Sequence, residues 1–180
     1  TPRSGDPLPW TGYLQNWNQM CADCHSTDVR KGYDVAAHTY ATTRSEDGVG
    51  CEACHGPGSA HVAWAKRPSA VRWMWRDDGI AARLDERRGA VWTVGTRDPV
   101  PVRSRPRTSD REIETCARCH ARRAQLTDEV SAADSFHDGF RAALLEPGLY
   151  RPDGQQRDEV YDYGSFLQSR MYLKGVTCGD

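Results

Sequence analysis

Apolar residues along the chain form short groups that polar and turn-forming residues separate. Groups spaced by three or four residues are typical of short helices. The pattern predicts helices over Trp17–His25, Ala60–Lys66, Ile80–Arg88, Arg111–Gln125 and Ser165–Lys174. The last helix is expected to end at Gly175, because glycine is typical of the position just after a helix. Alternation in AVWTVG predicts one short strand over Ala90–Gly95.

For a folded chain of 180 residues, this sequence has few hydrophobic residues and many glycines and prolines. Only 38% of residues are hydrophobic, 16 are Gly and 10 are Pro, and the mean hydropathy is -0.75. Six Trp and seven Tyr argue against plain disorder. We therefore expect a large apolar group other than side chains to fill part of the interior. A net charge of -1 gives no basic field for nucleic acid, and no apolar run is long enough to cross a bilayer.

Three pentads share the spacing Cys-x-x-Cys-His. Cysteines three residues apart lie on one face of a helical turn, and the following histidine stays beside them. The two thiols can form thioethers with the two vinyl groups of one haem, while the imidazole reaches the iron from the same side. This predicts three haems c, attached by Cys21 with Cys24, Cys51 with Cys54, and Cys116 with Cys119, and ligated by proximal His25, His55 and His120.

Two other interpretations of the cysteine pairs fit less well. Two pairs could hold one zinc ion in a site of four cysteines, but a third pair would be left over and the histidines would have no role. A thioredoxin-like redox motif needs a βαβ context and gives no reason for three copies.

Haem also accounts for the composition, because each macrocycle is a large apolar body. The predicted fold is mainly α with much irregular structure, a multihaem cytochrome c fold in which short helices wrap around stacked haems. It is expected to form a single domain over residues 1–180 that folds only with haem bound.

Three histidines outside the pentads supply one candidate second ligand for each iron: His38, His61 and His137. His61 is the strongest, because Gly56-Pro57-Gly58 turns the chain and Ser59 is expected to cap a short helix that carries His61 in its first turn. For the other two, an iron ligand and a surface residue are equal alternatives. Methionine ligation, which raises the potential, could come from Met20, Met74 or Met171.

The stretch 98–110, DPVPVRSRPRTSD, is the best candidate for a linker, with three prolines and three arginines. A solvated loop is the ordinary interpretation. The functional alternative is that its arginines pair with haem propionates or with an acidic redox partner: Arg103, Arg105 and Arg107.

The blocks NWNQMCADCHSTD, GCEACHGPGSAHVAWA, ETCARCHARRAQ, ALLEPGLYRPDGQ and DEVYDYGSFLQSRMYLKGVTC resemble a family of bacterial multihaem cytochromes c with tetratricopeptide repeats. The haem region is similar to the superfamily of cytochrome c nitrite reductase, hydroxylamine oxidoreductase and tetrahaem cytochrome c. The resemblance runs from about Asp6 to Asp180. It implies a periplasmic or otherwise extracytoplasmic electron-transfer protein with His61 as an axial ligand. It also implies an internal fragment, with a signal sequence upstream and repeats that bind protein partners.

Electron transfer through mostly bis-His haems, with other redox proteins as partners, is the expected function. The alternative is a multihaem oxidoreductase that acts on nitrogen or sulfur oxyanions at a five-coordinate haem, and a scaffold with structural haems is a further possibility. No P-loop, dinucleotide fingerprint or nucleophile elbow is present, and no catalytic residue can be assigned.

Cys178 is the seventh cysteine, in GVTCGD at the end of the sequence. A leftover cysteine usually indicates a free thiol or an intermolecular disulfide. Beside three pentads it is better interpreted as the first cysteine of a fourth, truncated haem site, with Cys-His expected at the next two positions of the native chain.

Overall fold

A computed structural model describes residues 3, 5–7, 9, 12, 15–96 and 99–180, and the first position of the candidate linker, 98, lies outside them. The chain divides into two compact units. The first contains Thr1–Ala81 with Thr127–Ala133, and the second contains Ala82–Leu126 with Asp134–Asp180. From the sequence we expect a single domain over residues 1–180. This remains a prediction, because two compact units can belong to one domain.

The first unit consists of short helices and two-residue strands. Strand β1 pairs antiparallel with β4, and β2 with β3. Its elements are α1 Trp17–Met20, α2 Ala22–His25, β1 Ser26–Thr27, β2 Tyr33–Asp34, β3 Thr39–Tyr40, β4 Glu46–Asp47, α3 Cys51–His55, α4 Ser59–Ala65 and α5 Ser69–Arg72.

The second unit is built on one longer helix and two further antiparallel pairs, β5 with β6 and β7 with β8. Its elements are β5 Trp92–Thr93, β6 Val102–Arg103, α6 Arg111–His120, β7 Arg123–Gln125, α7 Phe136–Gly139, β8 Phe140–Ala142, α8 Tyr161–Leu167 and α9 Arg170–Leu173. No helix in the described ranges is both long and apolar enough to cross a membrane.

The mainly α multihaem fold predicted from the sequence is wrong. The structure is 29% helical and has 14% strand in small antiparallel sheets. Among the described residues, only α6 reaches ten residues, and every other helix has seven or fewer. Helices this short have little stability of their own, so chain between them can pair as strands instead.

Individual element predictions have mixed outcomes. The strand at Ala90–Gly95 is present in short form as β5, and α4 matches Ala60–Lys66 to within one residue. The helix predicted over Ile80–Arg88 is absent. The chain bends at 81–82 and turns at 86–89, and Ala82 is buried between exposed neighbours.

The other helices are interrupted or end early. The first divides at Cys21 into α1 and α2, and the last divides into α8 and α9, where Ser169 caps α9 by accepting from the Tyr172 amide. The helix predicted to reach Gln125 stops at His120, because residues 123–125 pair with β8. Tertiary pairing thus overrides helical propensity here.

Gly175 follows α9 as predicted, with a φ of +88° that L side chains rarely adopt. Its amide donates to the Tyr172 carbonyl at 3.0 Å, and the Val176 amide donates to the Met171 carbonyl at 3.1 Å. This pair of bonds is the Schellman motif, which satisfies carbonyls that the helix end leaves open.

The two units differ sharply in their cores. In the second unit α6 packs on α7 and α8, and Phe136 stacks on Phe140 with ring centroids 5.4 Å apart. The carboxylate of Glu114 accepts from the Ser135 hydroxyl and the Phe136 amide, both at 2.9 Å, and so joins α6 to the start of α7. Among the described residues of the first unit, the buried apolar side chains are only Ala22 and Ala132.

We expect Phe136→Ala to lower the free energy of unfolding of the second unit by about 3–5 kcal/mol, because a fully buried ring is removed from a packed cluster. Leu173→Ala, at a residue that is 76% exposed, serves as control and should cost less than about 0.5 kcal/mol. Urea denaturation followed by circular dichroism measures both, and equal midpoints for the two variants would contradict the proposed core.

Candidate haem-attachment sites

The three Cys-x-x-Cys-His pentads share one local structure. Each histidine is the last residue of its helix: His25 ends α2, His55 ends α3 and His120 ends α6. The first cysteine lies four residues earlier, which places it on the same face as the histidine. All three imidazoles are exposed. No two cysteines are joined by a disulfide in the part of the chain that the structure describes.

This arrangement fits the chemistry of covalent haem attachment. The spacing of each pentad places its two cysteines and its histidine on one face of a helical turn, as two thioethers and an axial ligand require. A zinc site of four cysteines would need two pairs side by side, but among the described residues no three His, Cys, Asp or Glu side chains are grouped to hold a metal ion. Among the described residues, no two cysteine pairs therefore come together at one metal site.

A buried ion pair stabilises the chain around the first pentad. Asp23, between its two cysteines, forms an ion pair with Lys31 at 3.0 Å, and the two side chains are 13% and 9% exposed. The Lys31 carbonyl also accepts from the Thr42 hydroxyl at 2.9 Å. A buried pair of this kind costs desolvation on both sides but fixes the geometry of the groups it joins. It holds α2 against the chain that follows.

Thr27 joins the first pentad to the second. It is fully buried, and its hydroxyl donates to the Gly48 carbonyl at 2.9 Å and accepts from the Gly50 amide at 2.8 Å. The Gly48 amide in turn donates to the His25 carbonyl at 3.0 Å. Gly50 is the cap that precedes Cys51. One hydroxyl thus holds the end of α2 at a fixed place relative to the start of α3.

The turn after the second pentad leads directly into α4. Gly58 is the cap residue and donates its amide to the Glu52 carboxylate at 2.7 Å, while Ser59 is already helical. The expectation that Ser59 caps this helix is therefore wrong by one residue. His61 does lie in the first turn, as predicted.

His61 has its ring fixed by two contacts. Its Nδ1 lies 2.8 Å from the Asp78 carbonyl, and its ring stacks on Trp64 with centroids 5.5 Å apart. Because a carbonyl can only accept, Nδ1 carries the proton and Nε2 keeps its lone pair in the neutral ring. The close approach depends on Gly79, where a Cβ would lie 2.6 Å from the His61 amide nitrogen. His61 is thus oriented as a metal-binding histidine usually is.

His38 has only local surroundings. It lies in the turn between β2 and β3 with a φ of +52°, is exposed, and its Nδ1 is 3.1 Å from the Tyr33 hydroxyl of the same hairpin. Nothing in this hairpin fixes which ring nitrogen carries the proton.

A mostly apolar cavity of 310 Å³ lies beside the third pentad, in the second unit. Ala121, which lines it, follows His120 directly, and its wall includes His137, Leu144, Leu145, Tyr163 and Leu167. Burial, followed by the nearby Glu114, raises the pKa of Tyr163 to about 12, so this phenol stays neutral. An apolar recess that touches the end of α6 and includes a second histidine fits the edge of a haem.

A carboxylate lies near His120, the candidate proximal histidine of the third pentad. Asp162 of α8 has its Oδ2 3.6 Å from Nδ1 of His120. At this distance, and with both side chains exposed, the pair is a weak surface contact and not a hydrogen bond.

The candidate linker also has a structural role. Arg107 donates to the carbonyls of Tyr172 and Val176, at 3.1 and 3.0 Å, and its guanidinium lies 4.2 Å from the Tyr172 ring centroid. Arg103 likewise donates to the carbonyls of Glu86 and Arg105. These two arginines secure backbone segments of the second unit.

One thiol contact joins two distant parts of the sequence. Cys116 and Cys178 are hydrogen bonded to each other, and this bond raises the pKa of Cys116 and lowers that of Cys178. Sequence analysis missed it, as it missed Thr27, Lys31 and the Asp78 carbonyl. Each of these contacts joins residues that no motif connects.

Comparison with known proteins adds one match. Residues 12–56 match the family described as cytochrome c554 and c-prime. These residues contain the first two pentads with the Thr27 contact between them. The match supports a c-type cytochrome, with haem c as cofactor and redox proteins as partners. Neither the curated proteins nor the solved structures contain a match.

We expect Thr27→Val to lower the free energy of unfolding of the first unit by about 1–3 kcal/mol, because the Gly50 amide loses its buried acceptor. Thr27→Ser should keep most of the stability, since it retains the hydroxyl. The exposed Thr43→Val provides the matched control. Denaturant midpoints distinguish them, and a Thr27→Val midpoint equal to that of the control would contradict the role of the hydroxyl.

Proposed function

We propose that the protein is a multihaem electron-transfer protein of the c type. The three cysteine pairs of the pentads would each hold one haem by two thioethers, with His25, His55 and His120 as proximal ligands. The observation that carries this proposal is the shared geometry of three exposed helix ends, each with two thiols and an imidazole on one face. When bound, each haem supplies an iron that gains and loses one electron.

The second ligands would make most of these sites bis-His. His61 is supported by its fixed ring and the lone pair on Nε2, and His137 by its place in the cavity beside the third pentad. His38 is the remaining candidate, from an exposed hairpin turn. A site with both axial positions filled by side chains has no position for a substrate, so this arrangement favours electron transfer over catalysis.

The role of the chain is then to hold the haems, to orient their iron ligands and to cover their apolar faces. Thioether bonds would fix each haem to a helix end, and the hydrogen bond from Nδ1 of His61 keeps that imidazole in the ligating tautomer. Exposed apolar side chains of the first unit would be covered by haem, among them Trp73, Met74 and Trp75. The extent of that cover is one of the factors that set a potential.

Further parts of the proposal concern the protein as a whole. We propose that Cys178 begins a fourth haem site, that the protein is exported from the cytoplasm, and that its electron partners are other redox proteins. Tetratricopeptide repeats elsewhere in a longer native protein would then bind protein partners. The native sequence around this chain tests these points, with Cys-His after position 180 as the expected result.

Electron paramagnetic resonance of the oxidised holoprotein tests the function. We expect low-spin signals only, with no change on addition of nitrite or cyanide, because a histidine or methionine would fill every sixth position. A high-spin haem that binds nitrite would contradict the carrier and favour an oxidoreductase acting on nitrogen oxyanions.

Variants of single histidines test which residues supply the second iron ligands. His61→Ala should convert one haem to a high-spin form, whereas His61→Met, which retains a ligating atom, should keep it low-spin and raise its potential. The same comparison applies to His137→Ala. A low-spin spectrum for His61→Ala, identical to that of the parent, would remove His61 from the ligand set.

A further inference from the structure

A short turn that begins at Asp77 holds the ring of His61 through a backbone carbonyl. The Gly79 amide donates to the Asp77 carboxylate at 2.8 Å, which is the local bond by which an aspartate stabilises a turn. The Ile80 amide donates to the Asp78 carboxylate at 3.2 Å. Two side chains thus bind the amides two residues ahead of them, and the Asp78 carbonyl between these bonds lies 2.8 Å from Nδ1 of His61.

Gly79 brings this turn directly onto the first turn of α4. Its φ is +76°, a conformation that favours glycine. A Cβ at this position would lie 2.6 Å from the Ala60 carbonyl carbon and 2.6 Å from the His61 amide nitrogen. The turn therefore packs backbone to backbone against the residue that carries the imidazole.

Trp64 makes a second contact with the His61 ring. The two rings stack with centroids 5.5 Å apart and an angle of 22° between their planes, and the Arg72 guanidinium lies 5.4 Å from the Trp64 centroid. Trp64 and His61 both belong to α4, so this contact moves with the helix. The carbonyl of Asp78 is the contact that comes from another segment and fixes the ring relative to it.

We propose that Asp77 is a positioning residue for the His61 ligand. It fixes the turn that presents the Asp78 carbonyl, and the bond from Nδ1 to this carbonyl lowers the reduction potential of the haem that His61 ligates. This inference rests on the proposed function, because it takes His61 as an iron ligand. Asp77 is exposed and acts through the Gly79 amide.

The direction of the effect follows from the charge on the iron. A hydrogen bond donated by Nδ1 increases the negative charge on the ring and makes Nε2 a stronger donor. A stronger donor stabilises Fe(III) more than Fe(II), because the ferric ion carries the larger charge. Loss of the bond therefore raises the potential, while His61 remains bound and the iron remains low-spin. Hydrogen bonding around the axial ligand is one of the factors by which a protein sets a haem potential.

The experiment is a redox titration of the holoprotein with electron paramagnetic resonance recorded at each potential. The haem to follow is the one that His61→Ala converts to high-spin. We expect Asp77→Ala to raise the potential of this haem and to shift its signal, which stays low-spin. Asp77→Asn should restore both parent values, because asparagine forms the same turn. Since Asp77→Asn also removes the charge, it separates the role of the bond from that of the charge.

Asp153→Ala is the matched control. Asp153 is exposed and accepts from the amide two residues ahead, that of Gln155 at 3.1 Å, but it lies in the second unit. This variant should leave every potential unchanged.

Gly79→Ala tests the same contact a second time. It should raise the potential of the same haem, since a Cβ would push the turn away from α4. Gly148→Ala controls for backbone strain, because Gly148 has a φ of +97° and no described atom lies within 4 Å of its Cβ.

The outcomes separate this inference from the proposed function. If His61→Ala gives a high-spin haem but Asp77→Ala leaves the potential of that haem unchanged, the positioning role is overturned and the proposed function stands. The same holds if Asp77→Asn shifts the potential as much as Asp77→Ala does.

The reverse result is also defined. If one haem binds nitrite while Asp77→Ala raises the potential of the haem that His61 ligates, the carrier function fails and the positioning role stands. If His61→Ala leaves the spectrum unchanged, His61 is not a ligand and the positioning role is overturned with it.

Discussion

The scarcity of buried apolar side chains in the first unit is the constraint on which the rest of the structure depends. Two alanines are the only apolar side chains buried among its described residues, while Trp73 is 78% exposed and Val35 73%. A unit of this size cannot be stabilised by so small a core. Polar contacts through Thr27 and Lys31 fix the geometry, but an apolar group supplied from outside the sequence is needed to cover the surface that remains. Haem at each pentad, as we propose, would meet that need.

The elements that could be predicted from the sequence are those that residues within a few positions determine. The turn at Gly175 and the short helix that begins near Ser59 follow from residues within a few positions, and both are present. The irregular stretch around Ala82 and the early end of α6 depend on burial and pairing that residues distant in the chain determine. The expected mainly α fold failed for the same reason, because helices of four to seven residues compete poorly with strand pairing.

The candidate sites also combine features that local sequence predicts with features that depend on distant residues. Cys-x-x-Cys-His pentads could be located from sequence, since the chemistry fixes their spacing, and the structure places each histidine at a helix end. The contacts that hold the candidate residues in place could not be predicted from the sequence. The Asp78 carbonyl that fixes His61 is a backbone atom, and the contact between Cys116 and Cys178 spans much of the second unit. Such contacts appear only once the chain is folded.

Haem attachment at every pentad is the central claim, and mass spectrometry of peptides from the protein matured with haem tests it most directly. The account predicts haem on three peptides, those that contain Cys21 with Cys24, Cys51 with Cys54, and Cys116 with Cys119. Recovery of any of these pairs as unmodified thiols from protein that carries haem at the others would contradict it.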